Sequence, residues 1–454
     1  MKLLPRLCMA TGHGAAGGDN DKLGAAVSSS SGSSSSTGSS SSSSAAAAAV
    51  SEASSSTSLP SLPSLSAGTS NAASFAHLKT LLPLPAAPSS PAVVAADSSH
   101  GFFVVARPAT VALHDLSTLE STSSSDSSID DTATAGSVKC VACVQGGGGG
   151  YAAVTGHQDG RLRLWRVSTR APGRIRLAAA LPTVSDRVRR FPLPSNHVPV
   201  RRHHRRLWIE HSDAVSGVAA SADGRLLFSV SWDKTLKVWA VPSLRCLQSL
   251  PAHDDAVNAV AVAPGEGGVV YTGSADRRVR VWAPRPPTDK AAVARSHSKN
   301  KYPVYDLVAT LSRHTAAVNA VAVGCGGQVL YSGGNDRCVV VWEKEDSASH
   351  MVAIGALRGH RKAVLSVACA GDGMVVSGSA DRTVRAWRRE ADSRAHACVA
   401  VFDVHRSAVR SVAVAVFPEQ KKQGGDGEEE EWRVCSASFD GEVRVWSLRV
   451  TTGL

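Results

Sequence analysis

Histidine, serine or threonine, and aspartate recur together in this chain, the trio that relays protons in many hydrolases. His-x-x-Ala-Val occurs five times, starting at His211, His253, His314, His360 and His405. An Asp stands six residues before a Trp in each copy: Asp233/Trp239, Asp276/Trp282, Asp336/Trp342, Asp381/Trp387 and Asp440/Trp446. Four residues before each Asp is Ser229, Thr272, Ser332, Ser377 or Ser436. A sixth copy, Thr155, Asp159 and Trp165, lacks only the His. A catalytic triad occurs once and irregularly, so five copies at matching positions point to structure. No phosphate-binding loop, zincin helix or nucleophile elbow accompanies them. Gly146 to Gly150 is followed by no Lys-Ser/Thr and no helix start, and reads as a flexible turn. Catalytic residues are therefore not expected, and the protein is expected not to be an enzyme.

Metal chemistry finds little more support. Cys140 and Cys143 have the spacing of half a zinc site. On a strand, however, side chains three apart point to opposite faces, and no second pair follows. No metal or cofactor is expected, and no small-molecule substrate. The nine cysteines are scattered through strand-like runs, which suits reduced thiols. The net charge of +11 permits acidic proteins, nucleic acid or anionic surfaces as partners and selects none of them. No apolar run approaches the ~20 residues of a membrane helix. The opening MKLLPRLCMATG lacks the apolar core of a secretory signal.

The elements that must position these residues show in Val215 to Trp239, VSGVAASADGRLLFSVSWDKTLKVW, which reads as strand, turn, strand, tight turn, strand. Related stretches return every 40–45 residues or so, with period-two apolar alternation and no sustained 3.6 period. Four short strands per repeat, Gly turns and a Trp near the end of the third predict an all-β, seven-bladed β-propeller. Its innermost strands, such as VNAVAV and VRSVAV, alternate Val with small residues, as crowding near an axis requires.

The expected blades span 92–118, 137–180, 208–250, 253–312, 314–358, 360–404 and 405–450. The first is eroded, without the His, Asp or Trp. Phe75 to Leu84 precedes it and resembles the fourth-strand runs LRCLQSL and YDLVATL; it is expected to close the ring as the outer strand of blade seven. Closure removes an edge that would pair with other chains. Residues 1–74, rich in Ser, Ala and Gly, are expected to be a disordered leader. Leu119 to Gly136, Pro284 to Lys301 and Pro418 to Glu431 read as polar insertions, and 181–207 as a basic one.

The His…Ser/Thr…Asp…Trp pattern resembles the WD40 repeat family over roughly Phe75 to Val450. The resemblance implies a hydrogen-bonded chain in each blade: Asp233 accepts from His211, His211 bonds Ser229, and Ser229 bonds the Trp239 indole. The other four complete sets carry over in the same way. No tetrad Trp is followed by the Asp that names the family; Ala, Glu, Arg or Ser follows instead. A narrower stretch, VRRFPLPSNHVPVRRHHRRLWIEHSDAVS with SWDKTLKVW and AHDDAVNAV, is similar to the plant Jingubang-type WD40 proteins. That similarity implies a non-enzymatic regulatory scaffold in a plant cell, and the expected location is the cytoplasm or nucleus.

Three sets of residues are candidates for partner binding. Trp232 and Phe439 precede the tetrad Asp, where other copies have Gln158, Ala275, Asn335 and Ala380. Such aromatics on tight turns suit hot spots, or pack on a neighbouring blade. Lys234, Arg277, Arg337 and Arg382 follow the Asp as a basic ring or as solvated charges, beside acidic Asp213, Asp254 and Asp255. The insertion gathers Arg187, Arg189, Arg190, Arg201, Arg202, Arg205 and Arg206 with His197, His203 and His204. It reads as a docking arm or import signal, a nucleic-acid backbone contact, or a solvated loop. The expected function is a scaffold for a protein partner. The alternatives are a nucleic-acid or anionic-surface binder through Arg187–Arg206, and a substrate receptor of a ubiquitin ligase.

Overall fold

A strand built mainly of Val with small residues can lie against its neighbours on both faces near an axis, and seven inner strands line the centre of this protein. The computed structural model describes residues 63–67, 73–81, 91–98, 100–108, 110–124, 136–144, 152–167, 174–201, 204–265, 268–285, 302–344, 351–371, 373–390, 394–403, 405–417 and 429–451. They form seven sheets, the blades of a β-propeller, each with four antiparallel strands; in blade six the short strand Ser66–Ala67 adds in parallel to the outer edge. The inner strands are Val93–Asp97, Val138–Cys143, Val215–Ala220, Val257–Val262, Val318–Gly324, Val364–Ala370 and Val409–Phe417. Each contacts the next, and the last contacts the first. At that junction Ser411 Oγ accepts from Val94 N at 3.1 Å and donates to Val94 O at 3.2 Å.

Blade seven takes three strands from the end of the chain, Val409–Phe417, Glu429–Ser438 and Val443–Thr451, and its outer strand, Ala73–Leu81, from before blade one. Phe75 lies opposite Leu448, and His77 opposite Trp446. The strand starts two residues earlier than Phe75 and ends at Leu81; residues 82–84 lie outside the described residues.

The structure corrects the sequence reading in three places. Blade one does not end at residue 118: its outer strand is Ser121–Ser124, in a stretch read as a polar insertion. An outer strand needs backbone pairing more than an apolar face, and Ser123 pairs with Leu113. Disorder up to residue 74 does not hold at 63–67 or at Ala73 and Ser74. Leu65 N donates to Ala356 O and Leu65 O accepts from His396 N, both at 3.0 Å, so the segment bridges the rims of blades five and six. The Leu65 side chain fills the space left open by Gly355, where a Cβ would lie 2.5 Å from it. Residues 1–62 lie outside the described residues. Finally, the basic insertion, which is folded, runs past residue 207. It follows the outer strand of blade two, Ile175–Leu181, and contains an α-helix, Val184–Arg190, a short 3-10 turn, and a hairpin of His197–Arg201 with His204–Leu207. Trp208, assigned from the sequence to blade three, belongs with it.

Close approach between blades sets one residue type. The residue after the tetrad Ser or Thr is Gly156, Gly273, Gly333 or Gly378 in blades two, four, five and six. A Cβ at Gly333 would lie 2.6 Å from Val364 Cγ1. Blade three inverts the arrangement: Val230 takes the place of the glycine, and Gly217 on the inner strand makes room, its notional Cβ 2.9 Å from Val230 Cγ2. Gly333→Ala is therefore expected to destabilise by about 1–3 kcal/mol through overpacking. Adding Val364→Ala should recover part of the loss in urea denaturation. A Gly333→Ala variant as stable as wild type would contradict the packing.

Candidate functional site

In blades three to six the imidazole lies at the base of the loop before the inner strand, and the carboxylate in the turn between the second and third strands. Their separations match in all four blades. The His Nδ1 to Asp oxygen distances are 2.9, 2.8, 2.7 and 3.0 Å for His211/Asp233, His253/Asp276, His314/Asp336 and His360/Asp381. Nε2 lies 2.8 Å from the oxygen of Ser229, Thr272, Ser332 or Ser377. The indoles of Trp239, Trp282, Trp342 and Trp387 donate to those same oxygens at 2.8–3.0 Å. A neutral ring satisfies every link: Nδ1–H donates to the carboxylate while Nε2 accepts from the hydroxyl. Burial drives the His211 pKa down and favours that neutral form. Burial alone would raise the carboxylates, but donors from the imidazole and the backbone outweigh it and hold Asp276 down at about 2. The four hydroxyl-bearing residues are fully buried and therefore cannot attack a substrate.

Two blades depart from the pattern. In blade two the imidazole comes from His157, two residues after Thr155 on the same strand, with Nε2 2.8 Å from Thr155 Oγ1. Trp165 donates to that oxygen at 2.9 Å, and Asp159 pairs with Arg163 at 3.0 Å. Sequence reasoning missed His157, although residues two apart on a strand share a face. In blade seven His405 meets Ser436 at 2.7 Å and the Trp446 indole lies 3.4 Å from it. The expected link to Asp440 is absent. His405 Nδ1 and Asp440 Oδ2 are buried without partners among the described residues, while Asp440 turns to Ser438 and Glu442 N. In blade five Cys338 donates to Asp336 at 3.2 Å, where blades three and six use Thr235 and Thr383. His314, Asp336 and Cys338 thus bring three potential metal donors together. Two of the three, His314 and Asp336, are already joined in the tetrad.

The residue after the Asp has positive φ in all six blades. It is Gly160 and Gly441 in two of them, and Lys234, Arg277, Arg337 and Arg382, at 68–74°, in the others. A bulky residue there costs on the order of 1 kcal/mol relative to glycine. All four cations are exposed. Exposed Asp213, Asp254 and Asp255 share the face; Lys234 Nζ donates to Asp254 O at 2.7 Å, and Asp254 pairs with Arg278 at 3.2 Å.

The turns carrying Trp232 and Phe439 reach the mouth of the central channel. A cavity of about 360 Å³ there is lined by all seven inner strands and by both aromatics. Lys139 Nζ lies 5.1 Å from the Trp232 ring centre, and the Arg410 guanidinium 5.8 Å from that of Phe439. Phe439 is 43% exposed and Trp232 half-buried. A belt of side chains binds the blades just inside. Asn258 donates to Val318 O and Asn319 to Val364 O, both at 2.9 Å. Arg410 reaches past the eroded blade one to Val138 O at 2.8 Å, and burial pushes its pKa down to about 10. These residues were missed, though the signal was present: each follows the valine that opens an inner strand.

The insertion's arginines divide into tethers and exposed groups. Arg190 pairs with buried Asp186 at 3.1 Å, stacks 4.5 Å from the Trp208 ring and donates to Cys246 O at 3.3 Å. Trp208 in turn donates to Asn196 at 3.1 Å. Arg187 pairs with Glu210 at 2.6 Å, and Arg206 donates to His211 O at 3.1 Å. Arg189 and Arg205 are exposed, while Arg202 and His203 lie outside the described residues, as do the side chains of Arg201 and His204.

The family model for the WD domain, G-beta repeat, matches residues 203–240, 244–283, 305–343, 351–388 and 396–447. The chain is 31% identical over 136 residues to Mitochondrial division protein 1 of Schizosaccharomyces pombe, covering 29% of this chain and 20% of that protein. It is 26% identical over 161 residues to Transducin beta-like protein 3 of Bos taurus, covering 35% of this chain and 19% of that protein. It is 28% identical to Protein FIZZY-RELATED 2 of Arabidopsis thaliana over 159 residues, covering 29% of this chain and 33% of that protein. The chain thus spans a fifth to a third of these relatives' lengths. With the repeated tetrads and the seven-bladed ring, these matches support the WD40 repeat family for this chain.

Proposed function

We propose that this protein is a non-enzymatic interaction scaffold of the Jingubang type, acting in the cytoplasm or nucleus of a plant cell and holding a protein partner on its tetrad face and folded insertion. The observation that carries the reading is the pair Trp232 and Phe439 at the channel mouth, each beside a cation and held on a turn by backbone bonds. Trp232 N donates to Ala214 O at 3.2 Å and Phe439 N to Ala408 O at 3.0 Å. Rigid aromatics lose little conformational entropy on binding and bury much apolar area, which is how hot spots contribute. Asp254 and Asp255 beside Lys234 and Arg277 favour a protein surface of mixed charge over a uniform polyanion.

The test is a nuclease-treated pull-down from plant tissue, with partners identified by mass spectrometry. Wild type is compared with Trp232→Ala/Phe439→Ala and with an insertion neutralised at Arg189, Arg201, Arg202 and Arg205. Proteins lost from the aromatic double variant, at an affinity that varies little with salt, are the expected result. Binding that vanishes with nuclease, or falls steeply with salt and only in the neutralised insertion, would replace this reading with a nucleic-acid or anionic-surface binder. A ubiquitin-ligase substrate receptor is a special case, marked by ligase subunits among the retained proteins.

A further inference from the structure

An amphipathic helix on a folded body normally turns its apolar stripe inward. The helix Val184–Arg190 does the reverse. Its one buried residue is Asp186, clamped by Arg190 and by the Thr183 cap, whose Oγ1 accepts from Asp186 N at 3.2 Å. Val184, Val188 and Phe191, at i, i+4 and i+7, face outward with 75%, 66% and 68% of their surface exposed. Leu193 and Val198 extend the exposed apolar surface at 56% and 46%. Between helix and hairpin runs a groove of about 550 Å³, with Val184, Val188, Phe191 and Leu207 among its apolar walls and Arg161 and Arg205 on its rim. Neither rim arginine forms an ion pair among the described residues, and the groove's one acidic side chain, Glu210, is tied to Arg187 at 2.6 Å. An outward apolar stripe of this size on a well-anchored helix is the mark of an interaction site. The cationic rim selects the occupant's charge, and the largely aliphatic walls offer little stacking surface for bases.

We propose that this groove binds an acidic amphipathic helix of a partner protein, its apolar i, i+3/i+4, i+7 side chains seated on Val184, Val188 and Phe191 and its carboxylates on Arg161 and Arg205. The proposal rests on reading the insertion as a docking arm and gives that arm its ligand class. Helix-in-groove recognition of this kind uses three or four apolar anchors.

The probe is a fluorescein-labelled 16-residue peptide, Leu or Phe at i, i+4, i+7 and i+11 and otherwise Glu, Asp, Ala and Gln, titrated by fluorescence anisotropy against the full chain. A shuffled peptide of the same composition is the comparison. The patterned peptide is expected to bind at least tenfold tighter than the shuffled one. Val188→Asp/Phe191→Asp should abolish the difference, with an unchanged melting temperature because both side chains are exposed. Arg161→Glu/Arg205→Glu should weaken binding at least tenfold. Trp232→Ala/Phe439→Ala should leave it unchanged, which separates this site from the channel mouth. Equal binding of the two peptides, no binding of either, or binding that survives Val188→Asp/Phe191→Asp overturns the proposal. So does a patterned peptide lost only in Trp232→Ala/Phe439→Ala. Sedimentation with phosphatidylserine vesicles that depends on Val188 and Phe191, without peptide binding, assigns the groove to a lipid surface instead.

Discussion

Replacing Asp233 by Ala is expected to lower the stability of the folded protein by about 3 kcal/mol, several times the effect of Asp254→Ala or Asp440→Ala. The Asp233 carboxylate accepts from His211 Nδ1 at 2.9 Å, Ser212 N at 2.8 Å, Thr235 N at 3.0 Å and Thr235 Oγ1 at 2.6 Å. Removing it strands an imidazole N–H in a ring that is only 2% exposed, together with two backbone donors. A stranded buried donor costs about 1–3 kcal/mol, and partial access of water to the turn keeps the sum near the lower end. Asp254, with 69% of its side chain exposed, loses only surface ion pairs to Arg278 and Arg280, worth about 0–1 kcal/mol. Asp440 is the sharper comparison, since it occupies the tetrad position but makes no bond to His405. Its loss is expected to cost about 1 kcal/mol. Urea denaturation midpoints of the three variants decide the matter. Equal shifts for Asp233→Ala and Asp254→Ala would remove the case for a coupled network. An Asp440→Ala shift as large as that of Asp233→Ala would show that blade seven carries the full chain.

The tetrads were legible in the sequence because their bonds demand a fixed register. A Trp ten residues after its Ser can reach it only across a tight turn, so Ser229 and Trp239 announce two strands and the turn between them. Ring closure was legible because Ala73–Leu81 keeps the apolar alternation of an outer strand while lying before blade one. The segment around Leu65 was not, because its place depends on a gap at Gly355 some 290 residues away. The insertion shows the same limit more clearly. Val184, Val188 and Phe191 form an evident helical stripe, and pattern alone turns such a stripe inward. Its outward direction is set by Asp186, Arg190 and Trp208, contacts that exist only once blade three supplies the Cys246 carbonyl. The failed link in blade seven is of this type too: the residues match at every position, yet Asp440 turns to Ser438 and Glu442 instead of His405.

Stability is expected to fall steeply as pH is lowered from 7 to 5, through histidines buried in the neutral form. Burial pushes four imidazoles well below their ordinary value. His114, His396 and His405 come down to about 4 and His157 to about 3, with Arg107, Arg389, Arg444 and Arg163 respectively adding to the effect. In the unfolded chain each regains a pKa near 6.5. Between pH 6.5 and 4, therefore, the unfolded state binds a proton that the folded state does not, and stability rises with pH across that window. Each group gives a slope of up to about 1.4 kcal/mol per pH unit within that window; its stabilising contribution is present in full above pH 6.5 and lost as pH falls toward 4. The tetrad carboxylates act in the same direction at lower pH. Asp276, held at about 2, favours the folded state above its unfolded value near 3.9 and loses that contribution as pH falls through 2. The measurement is the urea midpoint at half-unit intervals from pH 4.5 to 8 for wild type and His396→Gln. His396 is fully buried, its Nε2 2.9 Å from Tyr331 Oη and its Nδ1 3.0 Å from Arg394 O. Removing its titration should flatten the slope between pH 6.5 and 5 by about one proton. Calorimetric unfolding in buffers of different ionisation heat should then show one fewer proton taken up. A midpoint that stays level from pH 7 to 5, or a His396→Gln slope equal to that of wild type, would mean that these rings accept protons inside the folded blades, and the tight polar packing inferred around them would be wrong.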